Sequence, residues 1–270
     1  MVKLNNKKNT IQKDKKFAPR DTSYSSFWLY NKEKDLNSEH FKDSFVNFYN
    51  DKELLSEFNP TIAKNIISFW SEPKNKILDP FSGRTRALVS YAMDREYTGY
   101  EISKDVVNYM TERFKNLNLL NKKDFNIKIH NSDCLNVCDD YKNEKFDLIF
   151  SCPPYYNLEK YESCKGQLTD IKNYDDFLTA LMIRLLRSWA LLKKGGFMCL
   201  VVGDFRRKGI YYPFHSDLIQ MFDRCNDANL HDIIVIQNIP FNIAAFYFGG
   251  TKKRKYTAKS HEYLLVWEKI

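Results

Sequence analysis

Three acidic residues follow short apolar runs of the chain. Asp79 opens the segment Asp-Pro-Phe-Ser-Gly, Glu101 comes 22 residues later, and Asp133 follows a third apolar run. Carboxylates at the ends of neighbouring parallel strands can accept hydrogen bonds from a ribose diol, as the offset of Glu101 suggests, and from an adenine amino group, as Asp133 could. Each acid alone would equally suit a helix cap or a solvated loop. Together they favour a nucleoside-binding site.

A proline-rich corner is the second chemical feature. The stretch Phe146–Tyr156 reads as a buried strand that runs into Cys152-Pro153-Pro154-Tyr155. Proline has no backbone N–H, so the carbonyl groups around Cys152 and Pro153 are left to accept hydrogen bonds from something other than the sheet. A ligand is one candidate, and a plain proline turn above a core aromatic ring is the other.

Other chemistries lack their motifs. Gly83 is the single glycine in the turn after Asp79, and no Gly-x-x-x-x-Gly-Lys-Ser/Thr loop occurs, which favours a ligand without phosphates. The six cysteines include no Cys-x-x-Cys pair, so we expect no metal site and reduced thiols. No secretory leader and no apolar run of membrane-spanning length is present, so we expect a soluble, cytoplasmic protein without membrane contact.

The charge is concentrated at the amino terminus. Of the formal net charge of +8, residues 1–20 supply +6, from seven Lys or Arg and one acid, Asp14. We expect this segment to be a basic, disordered arm, which either solubilises the protein or contacts phosphates. The remaining chain is nearly neutral, so nucleic-acid binding must rest on local basic patches.

Helical and strand patterns alternate over most of the chain. Helices are predicted over Thr61–Trp70, Thr85–Met93, Ser103–Leu117, Tyr174–Leu192 and Asp217–Asn229, and strands over Lys76–Asp79, Tyr97–Glu101, Asn126–His130, Phe146–Ser151, Gly196–Gly203, Ile233–Gln237 and His261–Trp267. This order predicts an α/β fold, a doubly wound, mostly parallel seven-stranded sheet with an antiparallel last strand. Residues 21–57 are predicted to be a helical extension and residues 58–270 the main domain.

In combination the motifs resemble those of the S-adenosylmethionine-dependent DNA amino-methyltransferases, which methylate adenine N6 or cytosine N4. The resemblance rests on Asp79–Gly83, Glu101, Asp133 and Ser151–Tyr155 in that order, and extends to Asn59–Thr61, Val201–Asp204 and Lys259–Tyr263. It covers about residues 58–268 and implies a class I, Rossmann-like catalytic domain that uses S-adenosylmethionine.

The resemblance also implies a role for each motif. The methionine moiety of the cofactor would contact Asp79, Phe81 and Gly83, the ribose Glu101, and the adenine Asp133. The target base would lie at Ser151–Tyr155, with Ser151 also counted among the cofactor contacts. An exocyclic amine is a poor nucleophile, so the Pro153 carbonyl would accept one of its hydrogens. Cys152, Pro153, Pro154 and Tyr155 form the predicted catalytic corner, and Tyr155 would stack on a base rotated out of the duplex.

Two positions depart from the family pattern. Cys152 stands where the family usually has Asp, Asn or Ser, and its sulfur is a weak acceptor. Three interpretations of Cys152 are open: a tolerated variant, a sign of reduced or lost activity, or a nucleophile that adds to a pyrimidine ring. We favour the tolerated variant. We call the segment Asp79–Thr85 the cofactor loop. In the family this loop has a second glycine, and Thr85 replaces it. These departures keep open a non-catalytic subunit that retains the fold.

Two basic stretches flank the expected cleft. Arg206 and Arg207 follow Asp204, and a second run contains Lys252, Lys253, Arg254 and Lys255. Basic residues beside glycines and aromatic rings suit contacts with DNA phosphates, whereas either run alone would equally suit a solvated surface. No separate target-recognition domain is evident, so sequence recognition would use the N-terminal part, the loop 156–173, the segment 239–259 or a partner protein. RNA is the alternative substrate. Oligomeric state, target base and restriction-linked, phage-borne or solitary role are left open.

Overall fold

The structure is a computed structural model that describes residues 25–29, 58–121, 126–156, 164–237, 255–257 and 259–270. Its strands are β1 (Phe27–Leu29), β2 (Lys76–Asp79), β3 (Glu96–Glu101), β4 (Ile127–Asn131), β5 (Phe146–Ser151), β6 (Leu192–Val202), β7 (Phe205–Arg207), β8 (Ile210–Tyr212), β9 (Ala228–Gln237) and β10 (Glu262–Lys269). Its α-helices are α1 (Pro60–Trp70), α2 (Arg84–Ala92), α3 (Lys104–Asn121), α4 (Val137–Asp140), α5 (Tyr174–Ala190) and α6 (Phe214–Phe222). Short 3-10 turns cover Cys134–Asn136 and Leu168–Asp170.

Eight strands form the main sheet in the order β1-β9-β10-β6-β5-β2-β3-β4. β10 pairs antiparallel with both β6 and β9, and the other neighbouring strands pair in parallel. From β2 the chain builds outward through β3 and β4, and from β5 it builds outward in the opposite direction. The crevice at the carboxyl ends of β2 and β5 is therefore the topological switch point, where ligands bind in open α/β sheets.

The doubly wound, mostly parallel fold is confirmed, but seven strands is one too few. β1 is the additional strand, pairing in parallel with β9 at the sheet edge, and Trp28 in its centre is buried with its ring centroid 6.3 Å from that of Trp70. It falls within residues 21–57, which we expected to be helical. Apart from Ser25 and Ser26, the rest of that segment, like the basic arm, lies outside the described residues.

Strand alternation sends side chains to a core on each face of the sheet. Ile77, Leu148 and Phe150 pack on one face with α1, α2 and α3, whereas Leu78 and Ile149 pack on the other with α5 and α6. α1 begins where the sequence indicates, because Asn59 Oδ1 accepts from the backbone of Thr61 at 2.9 Å and Pro60 opens the first turn.

Most predicted bounds agree with the structure. Lys76–Asp79 and Phe146–Ser151 are confirmed to the residue. The predicted helix Asp217–Asn229 is wrong at both ends: α6 spans Phe214–Phe222, because its buried face consists of Phe214, Leu218 and Phe222, and β9 already begins at Ala228. No helix in the described ranges has the length and apolar character needed to cross a membrane.

Candidate active site

The loop after β2 lies tightly against β3. Ser82 N donates to the carbonyl of Tyr100 at 2.7 Å, and a Cβ on Gly99 would come within 2.5 Å of Ser82 Oγ. Glycine at position 99 is therefore required for the loop to approach this closely. The contact fixes the path of Asp79–Gly83 along the carboxyl edge of the sheet.

Asp79 is fully buried, and its carboxylate accepts four hydrogen bonds. Ser151 Oγ at 2.6 Å and Phe81 N at 3.1 Å donate to Oδ1. Arg86 Nε at 2.6 Å and Tyr97 OH at 2.8 Å donate to Oδ2. A carboxylate offers about four acceptor sites, so these four donors occupy all of them. Asp79 therefore organises the loop in this structure, and its expected contact with methionine stays a prediction.

Arg86 is a functional-site residue that sequence reasoning missed. Its guanidinium is buried, donates to Asp79 and to the Phe81 carbonyl at 2.6 Å, and lies over the rings of Phe58 and Phe150. Burial is the largest single influence and opposes the charge, but the fields of Asp79, Tyr97 and Cys152 and the hydrogen bond to Asp79 together outweigh it, and the pKa of Arg86 is raised above its usual value. The cofactor loop is thus built around a buried ion pair.

Ser151 connects the two halves of the site. It lies at the end of β5, and its hydroxyl donates to Asp79 at the end of β2. Because Ser151 is itself fully buried, it influences the site through Asp79 and through the backbone that follows it, and its expected cofactor contact stays a prediction. The hydrogen bond holds the proline corner beside the cofactor loop, across the switch point of the sheet.

Glu101 ends β3 with a carboxyl group that is hard to ionise. Burial raises its pKa to about 7, although the backbone N–H of Ser103 donates to Oε1 at 2.8 Å and opposes the shift. A partly desolvated carboxylate gains from additional donors, which the hydroxyl groups of a ribose would supply. The chemistry of Glu101 fits the predicted contact.

The start of α2 also fits the cofactor. Gly83 is the N-cap residue and has no side chain with which to cap the helix. The first-turn N–H groups of a helix suit an acceptor such as a carboxylate. Phe81 is half-buried beside them. The N–H donors of α2 would suit the carboxylate of a ligand's amino-acid moiety, and the acceptor Glu101 would suit the ribose hydroxyls of its nucleoside moiety.

Asp133 is held by an arginine from a distant helix. Arg184 on α5 donates from Nε to Oδ1 at 2.9 Å and from Nη2 to Oδ2 at 2.5 Å, and Leu135 N donates to Oδ1 at 3.0 Å. Gly166 lies so close that a Cβ there would come within 2.6 Å of Asp133 Oδ2. Asp133 is thus positioned from three sides, and its predicted adenine contact would have to share its oxygens with Arg184.

The proline corner follows β5 without regular secondary structure. Pro153 is buried, whereas Cys152, Pro154 and Tyr155 are half-buried. Cys152 lies close enough to Arg86 of α2 for its charge to contribute to the raised pKa of Arg86. The remainder of the loop that was expected to close over a base, residues 157–163, lies outside the described residues.

Tyr155 is oriented by a cluster of aromatic rings. Its hydroxyl donates to Glu262 Oε1 at 3.2 Å, and its ring centroid lies 6.1 Å from that of Phe205 and 5.9 Å from that of Phe214. Neither contact is a face-to-face stack. Glu262 was not predicted individually, although it belongs to the segment Lys259–Tyr263 that resembles the family.

The β7–β8 hairpin brings the predicted basic residues to the same sheet edge, since it follows β6 directly. Arg206 is exposed, and Arg207 is half-buried. Asp204, at the base of the hairpin, accepts from Tyr211 OH at 2.5 Å and contacts His215 Nδ1 at 2.7 Å. Hydrogen bonds from Tyr211 and His215 lower the pKa of Asp204 although burial opposes them. Lys255 is described in a turn, whereas Lys252, Lys253 and Arg254 lie outside the described residues.

Comparison with known proteins agrees with this geometry. A sequence profile of a family described as DNA methylase, covering N6 and N4 methyltransferases, matches residues 1–112 and 146–269. The chain belongs to this DNA methylase family. The predicted resemblance is thereby confirmed, and S-adenosylmethionine is the methyl donor that goes with it.

A curated relative of this chain is the Type II methyltransferase M.MjaVI of Methanocaldococcus jannaschii. The two are 34% identical over 95 residues, which is 35% of this chain and 46% of the relative. The match thus spans about half the length of that protein.

Solved structures share the fold at low sequence identity. TrmN from Thermus thermophilus superposes with a TM-score of 0.54 at 15% identity, covering 81% of this chain and 51% of TrmN. A Streptococcus mutans protein assigned as a methyltransferase, in complex with SAH, gives a TM-score of 0.50 at 9% identity, covering 80% of this chain and 100% of that one. These matches support the class I fold of the chain.

Proposed function

We propose that this chain transfers a methyl group from S-adenosylmethionine to the exocyclic amino group of adenine (N6) or cytosine (N4) in double-stranded DNA, after the base has rotated out of the helix. The observation that carries the proposal is the hydrogen bond from Ser151 to Asp79, because it holds the proline corner next to the cofactor loop. A methyl donor and an amino acceptor bound at these two segments would be neighbours.

Each segment has a separate task. The α2 N-terminus and Glu101 bind and orient the cofactor, which when bound supplies an electrophilic methyl group on sulfur. The carbonyl of Pro153 accepts a hydrogen of the target amine and directs its lone pair toward the methyl group, so no strong base is required. Tyr155 provides a π surface that compensates for the stacking lost by the flipped base.

Cys152 leaves most of the amine contact to the Pro153 carbonyl. Cys152→Ala should therefore keep measurable methyl transfer, and Cys152→Asp should retain or increase it, since a carboxylate is the better acceptor. Complete loss of activity in the alanine variant, with the fold intact by circular dichroism, would contradict the tolerated-variant interpretation.

Labelled methyl transfer tests the proposal directly. The protein is incubated with methyl-labelled S-adenosylmethionine and, separately, with duplex DNA from a host lacking the modification and with total RNA. The products are digested to nucleosides and separated. Label in N6-methyldeoxyadenosine or N4-methyldeoxycytidine supports the proposal and decides between the two bases.

The other outcomes decide against it. Label only in ribonucleosides would assign the same chemistry to RNA. Cofactor binding without label in either nucleic acid would favour a non-catalytic subunit, which Cys152 and Thr85 keep open.

The proposal also places the protein in the cytoplasm, where its DNA is. It includes a protein partner that contributes to sequence recognition.

A further inference from the structure

An exposed isoleucine stands at the tip of the β7–β8 hairpin. Ile210 is 59% exposed, and three cationic residues precede it within four positions, namely Arg206, Arg207 and Lys208. Single exposed apolar side chains are common on protein surfaces, so the exposure of Ile210 is informative only together with the cations beside it. The cations around it would attract a polyanion that could bury it.

The backbone of the hairpin holds the tip in one orientation. Arg207 pairs with Ile210 across a two-residue loop, and both loop residues have positive φ, 47° at Lys208 and 86° at Gly209. Positive φ at both positions is the requirement of a type I′ turn, whose twist matches that of the flanking strands. Arg206 Nη1 also donates to the carbonyl of Gly209 at 2.9 Å. The tip is therefore preorganised.

Cations and aromatic rings alternate along one side of the hairpin. The Arg206 guanidinium lies 4.7 Å from the ring centroid of Tyr256 and 5.3 Å from that of Tyr211, and Lys259 Nζ lies 4.4 Å from the Tyr211 ring. The buried carboxylate of Asp204 anchors Tyr211 through its hydroxyl. These stacked cations form a positively charged surface of fixed shape, which suits a phosphate backbone.

The hairpin is also connected to the proposed base site. The ring of Phe205 in β7 stacks on Tyr212 in β8 with centroids 5.0 Å apart, and Phe205 also contacts Tyr155 of the proline corner. The base of the hairpin and the proline corner thus belong to one packed aromatic unit, and the tip projects from it. A DNA helix that contacts the tip lies beside the corner.

We propose that the β7–β8 hairpin contacts duplex DNA and that Ile210 enters the base stack as an apolar wedge next to the flipped nucleotide. The inference rests on the proposed function, since it assigns the partner of the same site. Insertion of an apolar side chain compensates in part for the stacking that is lost when a step opens. Arg206 and Lys259 would hold the flanking phosphates while the step opens.

Single-stranded DNA provides the first test, because it has no stack to open. Methyl transfer is measured on a plasmid fragment that the wild type methylates and on the same fragment after heat denaturation. Ile210→Ala should lower the ratio of duplex to single-strand rate about tenfold. Ile270→Ala is the matched control, since Ile270 is 58% exposed at the carboxyl terminus. An equal ratio in the two variants would overturn the wedge.

A second test does not depend on catalysis. A nicked plasmid is ligated in the presence of each variant, and the change in linking number is measured, because an inserted side chain unwinds the duplex. The wild type and Ile270→Ala should shift the linking number, and Ile210→Ala should lose most of the shift. If the linking number shifts in an Ile210-dependent way but the protein methylates no DNA, the proposed function is overturned and the wedge is not. If the linking number does not shift with any variant, the wedge is overturned.

Discussion

At the residue scale, the proposed contact of Glu101 with the ribose predicts that cofactor binding depends on pH. Burial raises the pKa of Glu101 to about 7 in the free protein, and in the proposed contact the ribose hydroxyls would donate to the ionised form. Cofactor binding must therefore release a proton whenever the pH lies below that pKa. We expect the affinity for SAH to rise with pH, by about tenfold between about pH 6 and about pH 8, and then to level off. Isothermal titration calorimetry across this range measures it.

Glu101→Gln separates this effect from the ionisation of the ligand itself. The amide cannot titrate, so the variant should bind more weakly at about pH 8 and show a flatter pH profile. A wild-type profile that runs parallel to that of the glutamine variant would show that Glu101 does not contact the ribose.

The ion pair of Arg86 and Asp79 should dominate the stability of the cofactor loop. Arg86→Met leaves the Asp79 carboxylate buried without its counter-charge, and we expect the free energy of unfolding to fall by about 3–5 kcal/mol. Urea denaturation followed by circular dichroism measures the change. Adding Asp79→Asn to the same chain should recover part of the loss.

An exposed pair gives the control for this experiment. Lys115 and Glu112 form an ion pair whose side chains are 63% and 68% exposed. Lys115→Met should change the free energy of unfolding by less than about 1 kcal/mol. If Arg86→Met lowered the free energy of unfolding by no more than Lys115→Met does, the buried ion pair would not be what stabilises the loop.

The sequence indicates the acids of the site but not the cations that bind them. Asp79, Glu101 and Asp133 are recognisable because each ends a strand or directly follows one. Arg86 lies seven residues from Asp79 and Arg184 lies 51 residues from Asp133, and each reaches its partner through tertiary packing of a helix. A single charged residue on an amphipathic helix carries no sign of such a partner.

At the element scale, the turn before α5 is packed against the predicted adenine site. Gly166 has φ +93°, and a Cβ there would come within 2.6 Å of Asp133 Oδ2. Gly166→Ala should therefore displace the turn or Asp133 and weaken SAH binding about tenfold. The positive φ should also lower the free energy of unfolding by about 1 kcal/mol, as it does for alanine at any such position. Fluorescence or calorimetric titration gives the affinity.

Gly195 supplies a control with the same backbone requirement. It has φ +74°, and nothing lies within 4 Å of a Cβ built on it. Gly195→Ala should lose a similar amount of stability while leaving the affinity for SAH near the wild-type value. Equal affinities in the two variants would place the adenine away from Asp133.

Elements with strong periodicity were predictable, and short ones were not. β5 is apolar at four of its first five positions, and β6 contains the continuous apolar run Phe197–Val202, so the existence of both strands follows from the sequence, whereas the polar start of β6 at Leu192–Gly195 does not. β1, β7 and β8 have three residues each and too few positions to show alternation. The pair Lys208-Gly209 was the one available signal for the hairpin, since it favours a tight turn.

At the scale of the whole molecule, the positive charge is distributed unevenly. The segment 1–20 carries +6 of the net +8, and the described basic residues Arg206, Lys255 and Lys259 lie near the carboxyl edge of the sheet. The proposed DNA contact thus depends on local patches in a body that is nearly neutral. Screening by salt should reveal which patches touch phosphates.

The run Lys252–Lys255 gives the prediction at this scale. Replacing Lys252, Lys253 and Arg254 by Gln should flatten the slope of log affinity for duplex DNA against log salt concentration, by about 0.9 for each phosphate that the protein no longer neutralises. Fluorescence anisotropy over a salt series measures both slopes. The control replaces Lys142, Lys145 and Lys194, which are exposed near the starts of β5 and β6, at the opposite edge of the sheet. The two triple variants have the same net charge, so a general field effect would flatten both slopes equally. Flattening confined to the first variant assigns phosphate contacts to the run Lys252–Arg254, and an unchanged slope in that variant would refute the assignment.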